Sequence, residues 1–468
     1  MNQSPVAGSA VQTRRFDLSS SVRLSDRYAA VLLSSLGAEV TPPTAPEPLD
    51  AARDWADSGL VPLIGLTGRA PLPGPGAIAT CASGALAALR LLAGEDILPG
   101  CDGAWLLSER AAFLHLERRG ATSANGSCRL LATADGWLAL NLARDEDWQL
   151  LPAWLEAEVN IHDWDSLLLH LSSRSAEELE SRGRLLGLPV ARAVATGGAE
   201  TVAGQDWFRV NTRGLCRSSA AYTPPLVVDI SSLWAGPLCA HLLAQAGARV
   251  IKVEDSQRPD GARRGNGDFY DLLNAGKQSV AIDFRSHEGR EQLRALIEQA
   301  DIVIEASRPR ALRQMDIYAE DIVGRRKGLT WISITGYGRG EPQAQWVAFG
   351  DDAAVAAGAT VGDPPLFCGD ALADPLTGLH AAVAGWAFWQ SGGGALLDLS
   401  LAGVTRHCLR TLTLAPNMEV IDRGGRWYLS AGDHEWPVAA PRRRQVLAHA
   451  APCGADTRQV MLELGIPC

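Results

Sequence analysis

The clearest hydrophobic pattern in the chain is a series of short apolar runs between residues 226 and 334. Five runs have the length and β-branched content of buried strands, at 226–230, 249–253, 279–284, 301–305 and 329–334. Amphipathic patterns at 237–246 and 288–299 predict helices between them. Strands that alternate with helices in this way predict right-handed crossovers and a doubly wound, parallel, Rossmann-like sheet. The fold class predicted for this part of the chain is therefore α/β.

The residues before this segment predict a different, smaller unit. Two short strand patterns flank an Ala134-Asp135-Gly136 turn, and helical patterns follow at 148–158 and 176–186. Ser175 and Glu178 are spaced as a capping box for the second of these helices. We predict a small α+β domain at 126–200, a linker at 201–224, a complete α/β domain at 225–408 and a tail at 409–468 that returns to a large domain.

Three segments of the N-terminal region repeat segments of the later domain in the same order. Residues 30–40 align with 240–250, residues 77–84 with 371–378, and residues 103–107 with 394–398. Chance similarity between Ala- and Leu-rich helices explains any single match, but it explains three ordered matches less well. The stretch 255–345 has no counterpart in the first copy. We interpret 1–125 as a degenerate, shortened copy of the large domain, fused to the complete copy as an internal pseudo-dimer.

Composition and charge narrow the functional classes. The chain has 468 residues, more than one ordinary core accommodates, and its net charge of -10 argues against a general nucleic-acid binder. Its nine cysteines are scattered singly, without a Cys-x-x-Cys pair or a His/Cys cluster, so we expect reduced thiols and no metal site. We find neither a signal-peptide pattern nor an apolar run that would span a membrane, and we expect a soluble cytoplasmic protein.

Ligands of doubly wound sheets bind beyond the carboxyl ends of the strands, so we expect ligand-binding residues in the segments that follow each strand. After the first strand, Gly236 lets a ligand approach the backbone at the start of a helix. Arg308, between a strand end and Pro309, is the strongest candidate for binding a phosphate. The glycine loop 336–340 can close over a ligand or simply form a turn. Six further cations could also supply charged groups for phosphates, although acidic residues are interleaved among them and solvated surface charge explains most of them individually: Arg258, Arg263, Arg264, Lys277, Arg310 and Arg313.

Asp374 precedes an apolar segment, 378–389, that predicts a buried helix. Asp374 as the N-cap and Pro375 as the first helical residue would explain both residues structurally. In the shortened copy, however, Thr80 stands at the position of Asp374. Because threonine also caps helices, capping alone does not explain why the complete copy carries a carboxylate. His380, one turn later, is interpreted as a packed helix histidine.

Six motifs follow one another in a fixed order: Leu226-Val-Val-Asp-Ile…Trp-Ala-Gly-Pro, Gly247-Ala-Arg-Val-Ile-Lys-Val-Glu, Asn274-Ala-Gly-Lys, Asp301-Ile-Val-Ile-Glu…Arg-Pro, Ile334-Thr-Gly-Tyr-Gly and Ala373-Asp-Pro-Leu-Thr-Gly. Together they resemble the class III CoA-transferases of the CaiB/BaiF type, which include formyl-CoA and carnitine CoA-transferases. The resemblance is strong over about 225–408. Ala306, Gln314 and Asp255 depart from it, since relatives often have Asn or Arg there.

The resemblance implies an enzyme that moves CoA from an acyl-CoA to an acceptor carboxylic acid. The catalytic aspartate of the family falls on Asp374, which would form an aspartyl anhydride and then an aspartyl-CoA thioester. Family members are interlocked dimers, so the resemblance implies a homodimer or the internal pseudo-dimer. From motif and resemblance together, the predicted CoA-binding residues are Trp234, Ala235, Gly236, Arg263, Lys277, Arg308, Met315, Gly336, Tyr337 and Gly338.

Two other functions remain open. A CoA-thioester isomerase, racemase or lyase on the same fold would need no acceptor acid. Racemases of the family use the His of a Gly-His-Asp sequence, and the corresponding stretch 347–352 contains no His, which counts against epimerisation. A decayed CoA-binding protein would fit the shortened N-terminal copy, although the retained Asp374 argues against it.

Overall fold

The computed structural model describes residues 14–44, 49–194, 207–217, 224–412 and 417–467. The strands in these residues are β1 (Arg15–Asp17), β2 (Glu39–Thr41), β3 (Cys128–Ala132), β4 (Trp137–Asn141), β5 (Val190–Arg192), β6 (Arg209–Arg213), β7 (Leu226–Asp229), β8 (Arg249–Asp255), β9 (Gln278–Ile282), β10 (Ile302–Glu305), β11 (Thr330–Thr335), β12 (Thr360–Val361), β13 (Leu366–Phe367), β14 (Ala395–Ser400), β15 (Glu419–Asp422), β16 (Trp427–Ala431) and β17 (His434–Pro437). The helices are α1 (Leu24–Ser35), α2 (Asp50–Asp57), α3 (Ile78–Ala93), α4 (Glu109–Leu114), α5 (Asp145–Gln149), α6 (Leu151–Leu155), α7 (Trp164–Leu171), α8 (Ala176–Leu186), α9 (Ala235–Gln245), α10 (Gly267–Asn274), α11 (His287–Gln299), α12 (Pro309–Arg313), α13 (Ala319–Arg325), α14 (Gly350–Ala357), α15 (Ala373–Gln390), α16 (Leu401–Thr411) and α17 (Thr457–Glu463).

The largest sheet has seven strands in the order β6-β14-β11-β10-β7-β8-β9. Six of them run parallel, and β6 pairs antiparallel with β14 at the edge. The five predicted strands are confirmed as β7 to β11. Buried side chains of α9 and α15 pack on one face of the sheet, and those of α11, α13 and α17 pack on the other. The mixed α/β class with a mostly parallel sheet is thus confirmed.

Two strands of this sheet were not predicted. Residues 209–213, within the predicted linker, form the edge strand β6, whose side chains alternate between exposed and half-buried. Strand β14 follows three consecutive glycines, Gly392 to Gly394, all with positive φ. The rest of the predicted linker lies largely outside the described residues, in 201–206 and 218–223. The predicted domain boundaries stay predictions.

The segment 128–192 has a small core of its own. Strands β3, β4 and β5 form an antiparallel sheet, with β3 and β4 paired around the predicted hairpin turn. The helix predicted at 148–158 is instead two short helices, α5 and α6, which divide at Leu150 just before Pro152, a residue that cannot donate a helical hydrogen bond. Helix α6 ends where Glu156 takes the left-handed conformation with φ 53°. The predicted capping box is also wrong. Asp135 of the hairpin turn accepts hydrogen bonds from the Ser175 hydroxyl (2.8 Å) and from the backbone N–H of Ala176 (2.7 Å), and so caps α8 itself.

Two helix pairs, α1 with α3 and α9 with α15, make the same kind of close contact. An added Cβ atom on Gly84 of α3 would lie 2.4 Å from the carbonyl oxygen of Ser25 in α1. An added Cβ on Gly378 of α15 would lie 2.6 Å from the carbonyl oxygen of Ala235 in α9. The predicted repeat puts Gly84 and Gly378 at the same position. The two helix pairs therefore pack in the same way at positions that the predicted repeat aligns, and the interpretation of 1–125 as a copy stays a prediction.

The tail connects the N-terminal region to the large sheet. The backbone N–H of Ala439 donates to the carbonyl oxygen of Ala56 in α2 (2.8 Å). Further along, the backbone N–H groups of Ser279 and Ala281 in β9 donate to the side chains of Asp456 (2.7 Å) and Thr457 (3.0 Å). Among the described residues, no helix has both the length and the apolar character needed to cross a membrane.

Candidate active site

Asp374 is the second residue of α15, not its cap. The helix begins at Ala373, its N-cap is Leu372, and no side chain caps it, so the predicted capping role of Asp374 is wrong. The helix begins earlier than expected because Ala371 takes a left-handed conformation (φ 43°), which turns the chain just before Leu372. A non-glycine residue held in this region is strained, and such strain is typical of functional sites. The carboxylate of Asp374 is thus not engaged in holding its own helix.

The negative charges of Asp351 and Asp370 act on Asp374, and Asp352 lies next to Asp351. Asp351 and Asp352 begin α14, and Asp370 lies in the loop before α15. The Asn125 amide donates to Asp351 (2.9 Å) and to Asp370 (3.2 Å). These buried acids crowd one region, and ionising all of them together is costly.

Arg110 of α4 is the cation of this cluster. Its guanidinium donates two hydrogen bonds to Asp370, from Nε to Oδ2 (2.8 Å) and from Nη2 to Oδ1 (2.7 Å). The face of the guanidinium lies over the indole ring of Trp234, 4.8 Å from its centroid. This bidentate, stacked geometry fixes the guanidinium in place.

Burial raises the pKa of Asp374 to about 7. The positive charge of Arg110 opposes this rise, whereas the negative charges of Asp351 and Asp370 add to it. Burial likewise raises the pKa of Asp351 to about 6, with Asp370 adding to the rise. Near neutral pH, Asp374 therefore exchanges readily between its acid and its carboxylate, as suits a reactive group.

Gly350, the first residue of α14, touches the Asp374 carboxylate. A Cβ atom added to Gly350 would lie 2.7 Å from Asp374 Oδ2 and 2.4 Å from the carbonyl oxygen of Ala371. Both distances are shorter than van der Waals contact, so only glycine fits. The position of the carboxylate is therefore limited by a backbone surface on one side.

The start of α9 brings three of the predicted CoA-binding residues to the cluster. Trp234 is buried between Arg110 and Phe269, whose ring centroid lies 5.3 Å from that of Trp234. Ala235 and Gly236 follow as the first two helical residues. A Cβ on Gly236 would meet Ser231 Oγ at 2.1 Å, so the loop itself also requires glycine there.

Lys277 and Arg263 are engaged in ion pairs within the protein. Lys277 is fully buried beneath α9, where its ammonium donates to Asp229 and to the carbonyl oxygen of Pro237, each at 3.0 Å. Burial lowers the pKa of Lys277 to about 8. The Arg263 guanidinium is paired with Glu254 (2.6 Å). The structure therefore does not present Lys277 to a ligand, and it gives Arg263 a protein partner.

Arg308 and Met315 lie beyond the carboxyl end of β10, as predicted. Arg308 is the N-cap of α12 and is half-buried, and among the described residues its guanidinium contacts only the carbonyl oxygen of Gln345 (3.4 Å). No ion pair within the described ranges includes Arg308. Within the described residues, the Arg308 guanidinium is therefore not paired with a carboxylate.

The glycine loop lies beside a separate cavity. Tyr337 and Gly338 line a cavity of about 440 Å³ between the loop, α8 and α16. Arg184 of α8 lies over the rings of Trp346 (3.9 Å) and Tyr337 (4.8 Å). Asp374 does not line this cavity, although the negative charge of Asp352 acts on the Tyr337 hydroxyl of the loop. A Cβ on Gly336, at the base of the loop, would meet Ala348 Cβ at 2.6 Å.

The sequence pattern does not predict the residues that surround Asp374. Asp351 and Asp352 form an acidic pair in the stretch 347–352, but nothing local links this pair to Asp374. Asp370 lies four residues before Asp374, in a loop whose direction the sequence does not define. Arg110 lies in the region interpreted as a degenerate copy, and 260 residues separate it from its partner Asp370.

Asp352 is expected to destabilise the fold as pH rises. It is fully buried, its Oδ1 accepts from Asn141 (3.2 Å) and from the N–H of Phe349 (2.9 Å), and burial raises its pKa from 3.8 to about 8. Because the folded state prefers the protonated form, stability is lost as pH rises from about 4 through 8. We expect Asp352→Asn to raise the free energy of unfolding by about 2 kcal/mol at pH 9, and progressively less towards pH 5.

Urea unfolding at pH 5, 7 and 9 measures this effect. The exposed Asp433 provides a matched control, since Asp433→Asn should change the unfolding free energy by less than about 0.5 kcal/mol at each pH. A difference between wild type and Asp352→Asn that is the same at all three pH values would contradict the assignment.

The part of the chain that contains Asp374 is similar to known proteins. Residues 225–424 match the sequence model described as CoA-transferase family III. The chain is 30% identical to a succinyl-CoA–D-citramalate CoA-transferase of Chloroflexus aurantiacus over 37% of this chain and 48% of the relative. It is 32% identical to a formyl-CoA:oxalate CoA-transferase of Escherichia coli over 34% of this chain and 41% of the relative.

Similarity to solved structures is more distant. A CaiB/BaiF family protein from Brucella suis is 24% identical, with a TM-score of 0.40, over 44% of this chain and 65% of that chain. The chain spans about half of the length of the curated relatives it matches. Residues 225–424, which contain Asp351, Asp370 and Asp374 but neither Arg110 nor Asn125, are thus the part of the chain that is similar to CoA-transferase family III.

Proposed function

We propose that the chain transfers CoA from an acyl-CoA to an acceptor carboxylic acid, with Asp374 as the nucleophile. The observation that carries this proposal is the position of Asp374: a carboxylate that caps nothing, with a raised pKa, at the start of a buried helix in the family-matched segment. The names of the two curated relatives describe CoA transfer between a thioester and an acid, which supports the same reaction type here.

The proposed reaction needs only the carboxylate and the CoA thiolate. The Asp374 carboxylate attacks the thioester carbonyl, and the C–S bond breaks. CoA departs as the thiolate, and an acyl-aspartyl anhydride remains on the enzyme. The thiolate then attacks the aspartyl carbonyl, which releases the donor acid and leaves an aspartyl-CoA thioester. The acceptor carboxylate attacks this thioester, and the released thiolate takes the acceptor acyl group from the second anhydride, regenerating Asp374.

The surroundings of Asp374 suit both halves of this cycle. The first step requires the carboxylate form, which Arg110 favours. The anhydride and the thioester both hydrolyse, so the site must exclude water. Asp374 lies among buried residues and against the backbone of Gly350, and this packing supports protection of the intermediates.

For the bound CoA we propose the cleft beyond the carboxyl ends of β7 and β10. Trp234, Ala235 and Gly236 would lie along it at the start of α9, close to Asp374. Arg308 would pair with a phosphate, because its charge is not engaged by a carboxylate among the described residues. Met315, half-buried in the core beside β10, would border the cleft.

One chain supplies residues on both sides of this site. Arg110 and Asn125 come from residues that precede the family-matched segment, and they contact Asp370 and Asp351 within it. This arrangement supports an internal pseudo-dimer with one active site per chain. A homodimer of such chains remains compatible with it.

A screen of CoA esters with and without acceptor acids tests the proposed function. We expect a new CoA ester only when a donor ester and an acceptor acid are both present. Product formation from the ester alone would indicate the isomerase, racemase or lyase instead. Binding of CoA esters without any product, across the panel, would indicate a decayed CoA-binding protein.

A further inference from the structure

The cation beside the candidate nucleophile comes from outside the family-matched segment. Arg110 lies on α4, in the N-terminal region, and its partner Asp370 is 260 residues further along the chain. The Asp370 side chain is fully buried, and the Arg110 side chain is 22% exposed. The pair is therefore an internal contact between two distant parts of the chain, where charge interactions are less screened than on the surface.

Three contacts hold the pair rigidly. Arg110 donates two hydrogen bonds to Asp370 and lies over the ring of Trp234. Asn125 donates to Oδ1 of Asp370 (3.2 Å), which also accepts from Arg110 Nη2, and to Asp351 (2.9 Å). Neither the Arg110 nor the Asp370 side chain can move without breaking several of these contacts.

The charges that act on Asp374 come from three elements, and the backbone ties two of them to it: Asp370 precedes Asp374 by four residues, and Asp351 accepts from the N–H of Ala371 (2.7 Å) in the same turn. Arg110 of α4 favours its ionised form, and Asp370 of the preceding loop and Asp351 of α14 disfavour it. The backbone of Gly350, an uncharged group, lies against the Asp374 carboxylate. Arg110 and Asp370 therefore act on Asp374 with opposite sign, although they are bonded to each other.

We propose that Arg110 and Asp370 are positioning residues that act as an opposed pair to set the ionised fraction of Asp374. The inference rests on the proposed function, because it assigns the N-terminal region a part in activating the nucleophile. Its consequence is that the N-terminal region completes the active site, and that residues 225–424 alone lack the group that favours the reactive carboxylate.

The pH dependence of kcat/KM tests this pair, because its acid limb reports an essential base of the free enzyme. Arg110→Gln should move the acid limb up by about one pH unit, with about tenfold loss at pH 6 and little loss at pH 9. Asp370→Asn should move it in the opposite direction, because Arg110 is then no longer neutralised. The double variant should return close to the wild-type limb.

A purely structural role for the pair predicts another pattern. If Arg110 and Asp370 only held the fold together, each single variant would lose activity equally at every pH, and the acid limb would not move. Shifts in the same direction for both single variants would also overturn the proposal. Arg110→Lys keeps the charge and should leave the limb within about half a pH unit of wild type, even where the lost bidentate contact lowers the rate.

A second readout does not depend on turnover. Infrared difference spectra between each background and its Asp374→Asn counterpart follow the ionisation of the Asp374 carboxylate during a pH titration. The midpoint should rise in Arg110→Gln and fall in Asp370→Asn. If no CoA transfer is found but the Asp374 midpoints of the two variants move in opposite directions, the proposed function is rejected and the role of Arg110 and Asp370 stands. If the enzyme is active but the midpoints do not move, only the proposed role of Arg110 and Asp370 is rejected.

Discussion

Replacing Asp374 by asparagine is expected to lower kcat by at least about 1000-fold, because an amide cannot attack the thioester and form the anhydride. Asparagine has nearly the shape of aspartate, and Asp374 caps no helix, so the fold should be unchanged. Steady-state rates with a donor and an acceptor that support turnover provide the measurement, together with the unfolding midpoint of each variant.

Thr80 provides the matched control for this substitution. Thr80 is buried in α3 at the position that corresponds to Asp374 in the predicted repeat. Thr80→Val removes its hydroxyl with little change in volume, and we expect kcat within about twofold of wild type. More than a tenth of wild-type activity in Asp374→Asn, or an equally large loss in Thr80→Val, would contradict a single active site at Asp374.

Gly350→Ala is expected to lower kcat by about 100-fold without removing any reactive group. The new methyl group would lie 2.7 Å from Asp374 Oδ2 and 2.4 Å from the carbonyl oxygen of Ala371, so the carboxylate or the chain around it must move. A shift of about 1 Å at a reacting atom is sufficient for a loss of this size. The rate of the first half-reaction, measured as release of the donor acid from acyl-CoA, reports the effect.

Gly267→Ala separates this effect from a general intolerance of alanine at a helix start. Gly267 is the first residue of α10, which has eight residues like α14, and nothing lies within 4 Å of an added Cβ. We expect activity within about twofold of wild type for Gly267→Ala, since alanine favours the helix. Wild-type activity in Gly350→Ala would show that the Gly350 backbone does not constrain the nucleophile.

The strands that the sequence predicted are those whose burial leaves a local pattern. Strands β7 to β11 are buried on both faces and therefore read as continuous apolar runs. The edge strand β6 carries exposed and half-buried side chains, and only its pairing with β14 makes it a strand. Pairing between distant segments is not a local property, so the sequence pattern predicts a linker where β6 forms.

The candidate site was predictable only in part for the same reason. Asp374 was found through the motif around it, but its helix position was wrong because the left-handed turn at Ala371 starts the helix earlier. Sequence cannot distinguish a free cation from a buried ion pair. Lys277 was therefore predicted to bind CoA, although its ammonium donates to Asp229. Arg110 was assigned to a degenerate copy, although it donates to Asp370.

Covalent labelling of the nucleophile tests the central claim most directly. Trypsin releases Asp374 in the peptide 340–406, which also contains Asp351, Asp352 and Asp370. After incubation with an acyl-CoA that supports turnover, we expect a CoA-sized mass increase on this peptide, located at Asp374 by fragmentation and absent in Asp374→Asn. An unmodified peptide during turnover, or an adduct on any other carboxylate of the peptide, would contradict the assignment of Asp374 as the nucleophile.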